Sequence, residues 1–195
     1  IPYVEESTLQ WNQYESPHWY KAHEIGDFNP IANWQPILKD QQAIHKTTIA
    51  MMRDHDSLYF KVDAFNDSNE ATEAPSSIDK FPSDDRVEVV LRSGSDTYYF
   101  ALGADGGTYR LKNWDTIREW SNGTQVRYVS GKGRWSALVA VPLSDVGAAS
   151  GEVDLDGKFG RVVNPQTPQR EESTFDGRSI FNDNTLLRRP IVIAE

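Results

Sequence analysis

Hydrophobic and polar residues alternate along several short segments of this chain, and a period of two is the spacing of a β-strand with one buried face. Residues 58–64 (LYFKVDA) place their apolar side chains on one face, apart from Tyr59, and their charged ones on the other. Residues 86–91 and 134–141 repeat the pattern, and Pro142 ends the second run because proline cannot donate a ladder hydrogen bond. Further strands are predicted at residues 42–52, 96–104, 108–111, 125–130 and 190–194, with a glycine-rich hairpin turn at 105–107.

Helix signals are weak, and polar segments separate the strands. Residues 143–147 predict a single helical turn with Ser144 as its cap. Residues 67–82, 114–123 and 164–184 lack periodicity and predict three long loops, which in a compact domain often carry function. The pattern as a whole predicts an all-β chain with one domain over residues 1–195, folded as an antiparallel immunoglobulin-like or jelly-roll β-sandwich with long loops.

The charge and the residue types exclude several classes of function. A net charge of -9 argues against binding to nucleic acid and to anionic membrane surfaces, since both need clustered Lys and Arg. The chain has no cysteine, which excludes disulfides, zinc–thiolate sites and a cysteine nucleophile. The apolar runs are too short to span a membrane. Because the sequence begins at Ile1, we interpret it as a mature or excised fragment of an exported, extracellular or periplasmic protein.

Acidic residues near strand ends are candidates for a metal site. Asp63, Asp67, Asp84 and Asp85 carry carboxylates of the kind that calcium prefers, although no EF-hand spacing is present, so separate loops would have to contribute. Solvated loop charge is the alternative, because Asp and Glu are exposed by default. Paired carboxylates also serve glycoside hydrolysis, but no acid–base pair can be placed by spacing, and an enzyme is the least favoured class.

The two adjacent methionines raise a second alternative. Met51 or Met52 with one of the four histidines could ligate haem in an electron-transfer domain, whereas a core position for both methionines is the simpler interpretation. No HExxH motif, GxSxG elbow or phosphate-binding loop is present. No organic cofactor is expected.

Aromatic residues outside the strands are the more specific signal. Trp114, Trp120, Phe81 and Phe175 lie in the predicted loops, where a flat ring can stack on the apolar face of a pyranose. Sugar hydroxyls then need polar partners, because an unpaired polar group is costly. The loop before Phe175 supplies such groups, at Asn164, Gln166, Gln169, Arg170, Glu171 and Glu172. The alternative is that each aromatic residue anchors its own loop to the core.

Several segments, in this order, resemble carbohydrate-binding module family 9 and its DOMON-like relatives. The resemblance rests on HWYKAHEIGDF, DSLYFKVDAFND, DDRVEVVL, YYFALGADGGTY, GRWSALVAVPLSDVG and GKFGRVVNPQTPQREESTF, which begin at residues 18, 56, 84, 98, 133 and 157. Each segment alone is weak, but their order and spacing agree over nearly the whole chain.

The resemblance implies a β-sandwich that binds mono- or oligosaccharides, often at a chain end, as a module of a polysaccharide-degrading enzyme, commonly with structural calcium. Two aromatic residues clamp the sugar in the family, and Phe81 and Phe175 look to fill those places, with Phe where the family typically has Trp. We therefore expect non-catalytic carbohydrate binding. The expected ligand-binding residues are Phe81, Phe175, Trp114, Trp120, Glu88, Arg161, Asn164 and Glu171. A structural module that packs against a catalytic domain of the same parent chain is a further alternative.

Overall fold

The computed structural model describes residues 1–5, 9–26, 28–32, 35–36, 43–66, 75–115, 120, 123–148, 155–163, 170–174 and 190–191. Short 3-10 helices cover Pro17–Lys21 and Leu143–Val146. Strands β1 to β14 cover, in chain order, His23–Ile25, Asn29–Ala32, Gln35–Pro36, Thr47–Arg53, Ser57–Phe65, Ile78–Asp79, Arg86–Ser93, Asp96–Gly103, Gly107–Lys112, Gln125–Gly131, Arg134–Pro142, Leu155–Val163, Glu171–Thr174 and Pro190–Ile191.

These strands form two sheets. The small sheet has the order β1-β4-β5-β11-β10, and the large sheet has the order β3-β2-β13-β12-β7-β8-β9-β6, with β14 also paired to β12. All described pairings between strands are antiparallel except that of β6 with β9. The all-β sandwich predicted from the alternation is confirmed. Within the described residues, no helix is long and apolar enough to cross a membrane.

Several element boundaries differ from those predicted. The first long strand begins at Thr47 rather than at residue 42. Strand β13 lies inside the predicted loop 164–184, and β6 lies inside the predicted loop 67–82. Strand β13 has the sequence EEST and carries no large apolar residue, so the strand shows no alternation of apolar and polar residues. Its first residue, Glu171, bonds to His45. Ser144 does not cap the 3-10 helix, because Pro142 occupies the N-cap position and no side chain bonds there.

The hydrophobic core lies between the two sheets. Alternate residues of the long strands meet there, so that Phe60 of the small sheet contacts Phe100 of the large sheet with ring centroids 6.3 Å apart. This is the expected outcome of a period-two pattern, since successive side chains of a strand point to opposite faces.

The outward face of the small sheet is also covered. Trp19, Met52 and Tyr59 form a second buried cluster there, and the N-terminal segment packs over it through residues that include Trp11 and Tyr14. The rings of Trp11 and Tyr59 stack with centroids 6.0 Å apart. The N-terminal segment therefore closes this side of the sandwich.

One buried charge pair joins the two sheets. Arg161 of β12 is 1% exposed, and its guanidinium donates from Nε and Nη2 to the two carboxylate oxygens of Asp85, at 3.0 and 2.7 Å. The small sheet contributes the Trp135 indole, which donates to Asp85 at 2.7 Å, and the Lys46 carbonyl, which accepts from Arg161 at 2.9 Å. Every one of these groups is paired, as buried polar groups must be.

We predict that Asp85→Ala lowers the free energy of unfolding by about 3–5 kcal/mol, since it leaves the buried Arg161 charge without its partner. Urea denaturation followed by tryptophan fluorescence measures this change. Asp79→Ala is the control, because the Asp79 side chain is 75% exposed, and we expect a loss below about 1 kcal/mol. Equal losses in the two variants would contradict the structural role assigned to the pair.

Candidate functional site

The outward face of the large sheet carries a separate cluster of aromatic side chains. Val90, Tyr99 and Ala101 are buried there, and Tyr109 and Trp114, which are partly buried, pack against them. Their side chains point to the same side of the sheet, because residues that pair directly across neighbouring strands share a face: Val90 pairs with Tyr99, and Ala101 pairs with Tyr109. We call this surface of β7, β8, β9, β12 and β13 the outer face.

Four aromatic rings follow one another across the outer face, and we call them the aromatic row. Phe81 meets Tyr109 edge-on with centroids 5.4 Å apart, and Tyr99 meets Trp114 at 5.3 Å. Tyr109 and Tyr99 are diagonal neighbours on β9 and β8, since Tyr109 pairs with Ala101. Phe81 remains 47% exposed. The row therefore offers flat apolar surface to solvent.

A strained turn directs Trp114 onto the outer face. Asn113 and Trp114 have φ angles of 53° and 58°, a left-handed conformation that is rare for a bulky residue. Asn113 is held by Thr97, whose amide donates to the Asn113 side chain at 2.8 Å and whose carbonyl accepts from the Asn113 amide at 2.7 Å. The left-handed backbone conformation of these two residues ends β9 and turns Trp114 back over Tyr99. Backbone strain of this kind is often found at functional positions.

The hairpin turn 105–107 positions Phe81 from the other side. The Asp105 carboxylate accepts from the Ser83 amide at 3.3 Å, from the Ser83 hydroxyl at 3.0 Å and from the Gly107 amide at 3.0 Å, and it pairs with Lys80 at 3.0 Å. A Cβ on Gly107 would lie 2.9 Å from the Cα of Pro82. The glycines and Asp105 thus let the segment that carries Phe81 lie directly on the hairpin.

A fixed polar pair stands beside the aromatic row. Arg86 donates from Nε to Glu88 at 2.7 Å, and its guanidinium lies over the Phe81 ring, 5.1 Å from the centroid. Glu88 is 2% exposed and also accepts a hydrogen bond from the hydroxyl of Tyr99. Burial, followed by the negative charge of Glu88, raises the pKa of Tyr99 well above its usual value, so this hydroxyl remains a donor.

Small residues lie next to the polar pair. Glu88 pairs with Ala101 on one side and with Gly160 on the other, so neither neighbour rises above the sheet. Beyond Gly160, strand β13 continues the surface with Thr174 and Glu172. At this centre Ala101, Glu88 and Thr174 are at most 4% exposed, so the outer face is open to solvent at the aromatic row rather than at its centre.

The residues expected to bind ligand fall into three groups. The outer face brings together Phe81, Trp114 and Glu88. Trp120 instead packs on the core side against Tyr98, at 5.2 Å, and the remaining described members, Arg161 and Glu171, are bonded to Asp85 and His45. Phe175 and Asn164 lie outside the described residues.

The expected calcium ligands are dispersed. Asp63 accepts from the hydroxyls of Tyr14 and Ser136, and Asp85 accepts from Arg161, while Asp84 is exposed and Asp67 lies outside the described residues. In the part of the chain that the structure describes, no group of three or more His, Asp or Glu side chains could hold a metal ion. Met51 and Met52 lie in different apolar clusters, on opposite faces of β4.

Sequence reasoning did not single out Tyr99, Tyr109 and Arg86. Each lies within a strand or at its start, whereas the aromatic residues predicted to bind ligand lie in the predicted loops. The usable signal was that the outward positions of 96–103 and 107–112 also carry large apolar or aromatic side chains, such as Tyr99, Tyr109 and Leu111, where a solvated face would carry polar ones.

We predict that Asp105→Asn lowers the free energy of unfolding at pH 7 by on the order of 1 kcal/mol, since the charged acceptor is lost. Burial acts to raise the pKa of Asp105, but the donors on Gly107, Lys80 and Ser83 outweigh it, so the pKa lies below its usual value. The stabilisation is therefore present above about pH 5 and is lost as the pH falls through the folded-state pKa.

Urea denaturation of both proteins from pH 7 to about pH 2.5 measures this difference, which we expect to shrink towards zero in acid. Asp79→Asn is the control, because Asp79 is 75% exposed and pairs only with Arg110 among the described residues. A difference between Asp105→Asn and the unmodified protein that stays constant over this pH range would contradict the assignment.

The chain was compared with protein families, with curated proteins and with solved structures, and only the solved structures gave matches. No protein-family model matches the chain, and no curated protein matches it significantly. Two solved structures of a carbohydrate binding module family 9 protein from Caldicellulosiruptor kristjanssonii are similar to it at 11% identity. The complex with cellotriose has a TM-score of 0.54 over 89% of this chain and 83% of the other, and the complex with glucose has 0.56 over 88% and 83%. The fold of this chain is therefore like that of carbohydrate-binding module family 9, as the sequence resemblance implied.

Proposed function

We propose that this chain is a non-catalytic carbohydrate-binding module whose ligand, a mono- or oligosaccharide, lies on the outer face along the aromatic row. The observation that carries the proposal is the aromatic row itself, in which Phe81 is 47% exposed and Tyr109 and Trp114 are partly exposed, with Arg86 and Glu88 fixed beside it. The small sheet offers no comparable surface in the described residues, because the N-terminal segment covers it. The fold supports the proposal, since the similar structures hold cellotriose and glucose.

The chemistry of the outer face suits a sugar. The C–H face of a pyranose is apolar and flat, and Phe81, Tyr109 and Trp114 present ring surface that binding would take out of water. The hydroxyls at the edge of the sugar need hydrogen bonds, and Arg86 supplies charged donors beside the rings. Because the rings and the arginine are held by packing and hydrogen bonds, little side-chain entropy is lost on binding.

Further parts of the proposal rest on the family resemblance. We propose that the chain is a module of a secreted polysaccharide-degrading enzyme, beside a catalytic domain, and that it recognises the end of a polysaccharide chain. Phe175, Asn164 and Glu171 stay predicted ligand contacts.

Structural calcium is also proposed. Because Asp63 and Asp85 already accept hydrogen bonds from side chains, the ligands would have to include Asp67 and Asp84 with loop carbonyl oxygens. A thermal unfolding midpoint that falls on addition of EDTA and recovers with calcium supports the metal. An unchanged midpoint contradicts it.

We predict that Phe81→Ala and Trp114→Ala each weaken sugar binding by about tenfold, or about 1.4 kcal/mol, because each removes ring surface from the platform. Phe81→Trp should strengthen binding, since the larger ring covers more of the sugar. Isothermal titration calorimetry measures the affinities, with the ligand chosen from a glycan panel that includes glucose and cello-oligosaccharides. Tyr20→Ala is the control, because Tyr20 is 79% exposed and lies on the N-terminal segment, away from the outer face.

Two results would contradict the proposal. One is the absence of binding to every glycan of the panel by the folded protein. The other is binding that Phe81→Ala, Trp114→Ala and Tyr20→Ala leave equally unchanged, which would place the sugar elsewhere on the chain.

A further inference from the structure

The carboxylates of the outer face are already matched with arginines. Glu88 of β7 is paired with Arg86, and Glu172 of β13 is paired with Arg170. Each arginine lies two residues from its partner on the same side of the sheet. A neutral sugar is commonly bound by free carboxylates that accept its hydroxyl protons, but the described carboxylates of this face are engaged.

The Arg86 side chain is 12% exposed, and one edge of its guanidinium is left without a hydrogen bond within the described residues. Its Nε is used by Glu88 at 2.7 Å, and the guanidinium plane is supported by Phe81. In the part of the chain that the structure describes, the two η nitrogens bond to no protein group, and neither is sealed from solvent as an unpaired buried atom. The end of the guanidinium therefore keeps two N–H groups that point in parallel.

Glu88 serves to hold this arginine. The carboxylate is 2% exposed and accepts from both Arg86 and Tyr99, so it has little surface left to meet a ligand. The sequence prediction that Glu88 binds a sugar hydroxyl is thereby replaced by a positioning role. Arg86, rather than Glu88, is the group that faces the ligand.

The partner that best fits a fixed guanidinium edge is a carboxylate. Two parallel N–H groups match the two oxygens of a carboxylate, and such paired charge-assisted bonds are stronger than bonds to a neutral hydroxyl. A sugar that carries both a carboxylate and an apolar ring face is a uronic acid. We propose that the outer face binds acidic sugars, a uronic acid residue or oligouronide, with its carboxylate on Arg86 and its ring on the aromatic row. This inference rests on the proposed sugar-binding function.

The negative charge of the whole chain does not prevent such binding. At physiological ionic strength, charges beyond about 8 Å are largely screened, so the contact is governed by the groups beside the ligand. Arg86, whose guanidinium lies 5.1 Å from the Phe81 ring centroid, provides the cationic group beside the aromatic row.

Matched acidic and neutral ligands test the proposal with the unmodified protein. Oligogalacturonates, oligoglucuronates and oligomannuronates are titrated calorimetrically beside their methyl esters, which keep the ring and lose the charge. We expect at least one acid to bind tenfold or more tightly than its ester. Arg86→Lys and Arg86→Gln should abolish most of this difference, whereas Arg92→Lys, on the same strand, should preserve it.

The outcomes separate the two proposals. If methyl esters or neutral oligosaccharides bind as tightly as the acids, the preference for uronic acids is wrong while sugar binding on the outer face stands. If no glycan of either class binds, the sugar-binding function fails and this inference fails with it. If an acid binds preferentially but Arg86→Lys and Arg86→Gln, both folded, retain the full preference, the assignment to Arg86 is wrong.

Discussion

The buried pair of Arg161 and Asp85 fixes the relation between the two sheets on which the outer face depends. Asp85 bonds to Arg161 of the large sheet and to Trp135 of the small sheet, and it stands immediately before β7. Because neighbouring residues of a strand point to opposite sides, an inward Asp85 and Val87 make Arg86 and Glu88 point outward. A charge pair in the core thus sets the direction of the polar groups on the surface, and removing one partner would leave a buried charge unpaired.

The outward surfaces of the two sheets differ in how far other parts of the chain cover them. On the small sheet, Met52 and Tyr59 are covered by the N-terminal segment through Trp11 and its neighbours. On the large sheet, Tyr99 is 3% exposed, but Tyr109 and Trp114 beside it are only partly buried and Phe81 is 47% exposed. Apolar surface left beside ordered polar groups is typical of a binding site rather than of a solvated face. The exposed ring of Phe81, beside Arg86 and Glu88, is the feature on which the proposed sugar-binding site rests.

Much of the fold could be predicted from the alternating pattern, because the long central strands bury one face in a shared core. Residues 58–64 and 134–141 show this plainly, and both lie inside observed strands. Strand β13 could not be found in this way, because its residues, EEST, include no apolar side chain to alternate with the polar ones, so its sequence resembles a loop.

The site could be predicted only in part. Phe81, Trp114 and Glu88, all predicted to bind ligand, lie on the outer face, where Phe81 is 47% exposed and Glu88 is 2% exposed. Arg161 was predicted among the polar residues that bind sugar hydroxyls, and the sequence does not show that its side chain is 1% exposed and bonded to Asp85. Tyr99 and Tyr109 were assigned to strands and so escaped notice, since their contact with Phe81 and Trp114 depends on the register between β8 and β9.

The most direct test of the account is nuclear magnetic resonance titration with a bound glycan, read at the tryptophan indole N–H groups. If the ligand lies on the outer face, the Trp114 signal shifts with saturation, while those of Trp120 and Trp135, packed on the core side, stay nearly unchanged. A ligand that shifts Trp11 and Trp19 and leaves Trp114 unmoved would place binding on the small sheet and contradict the account.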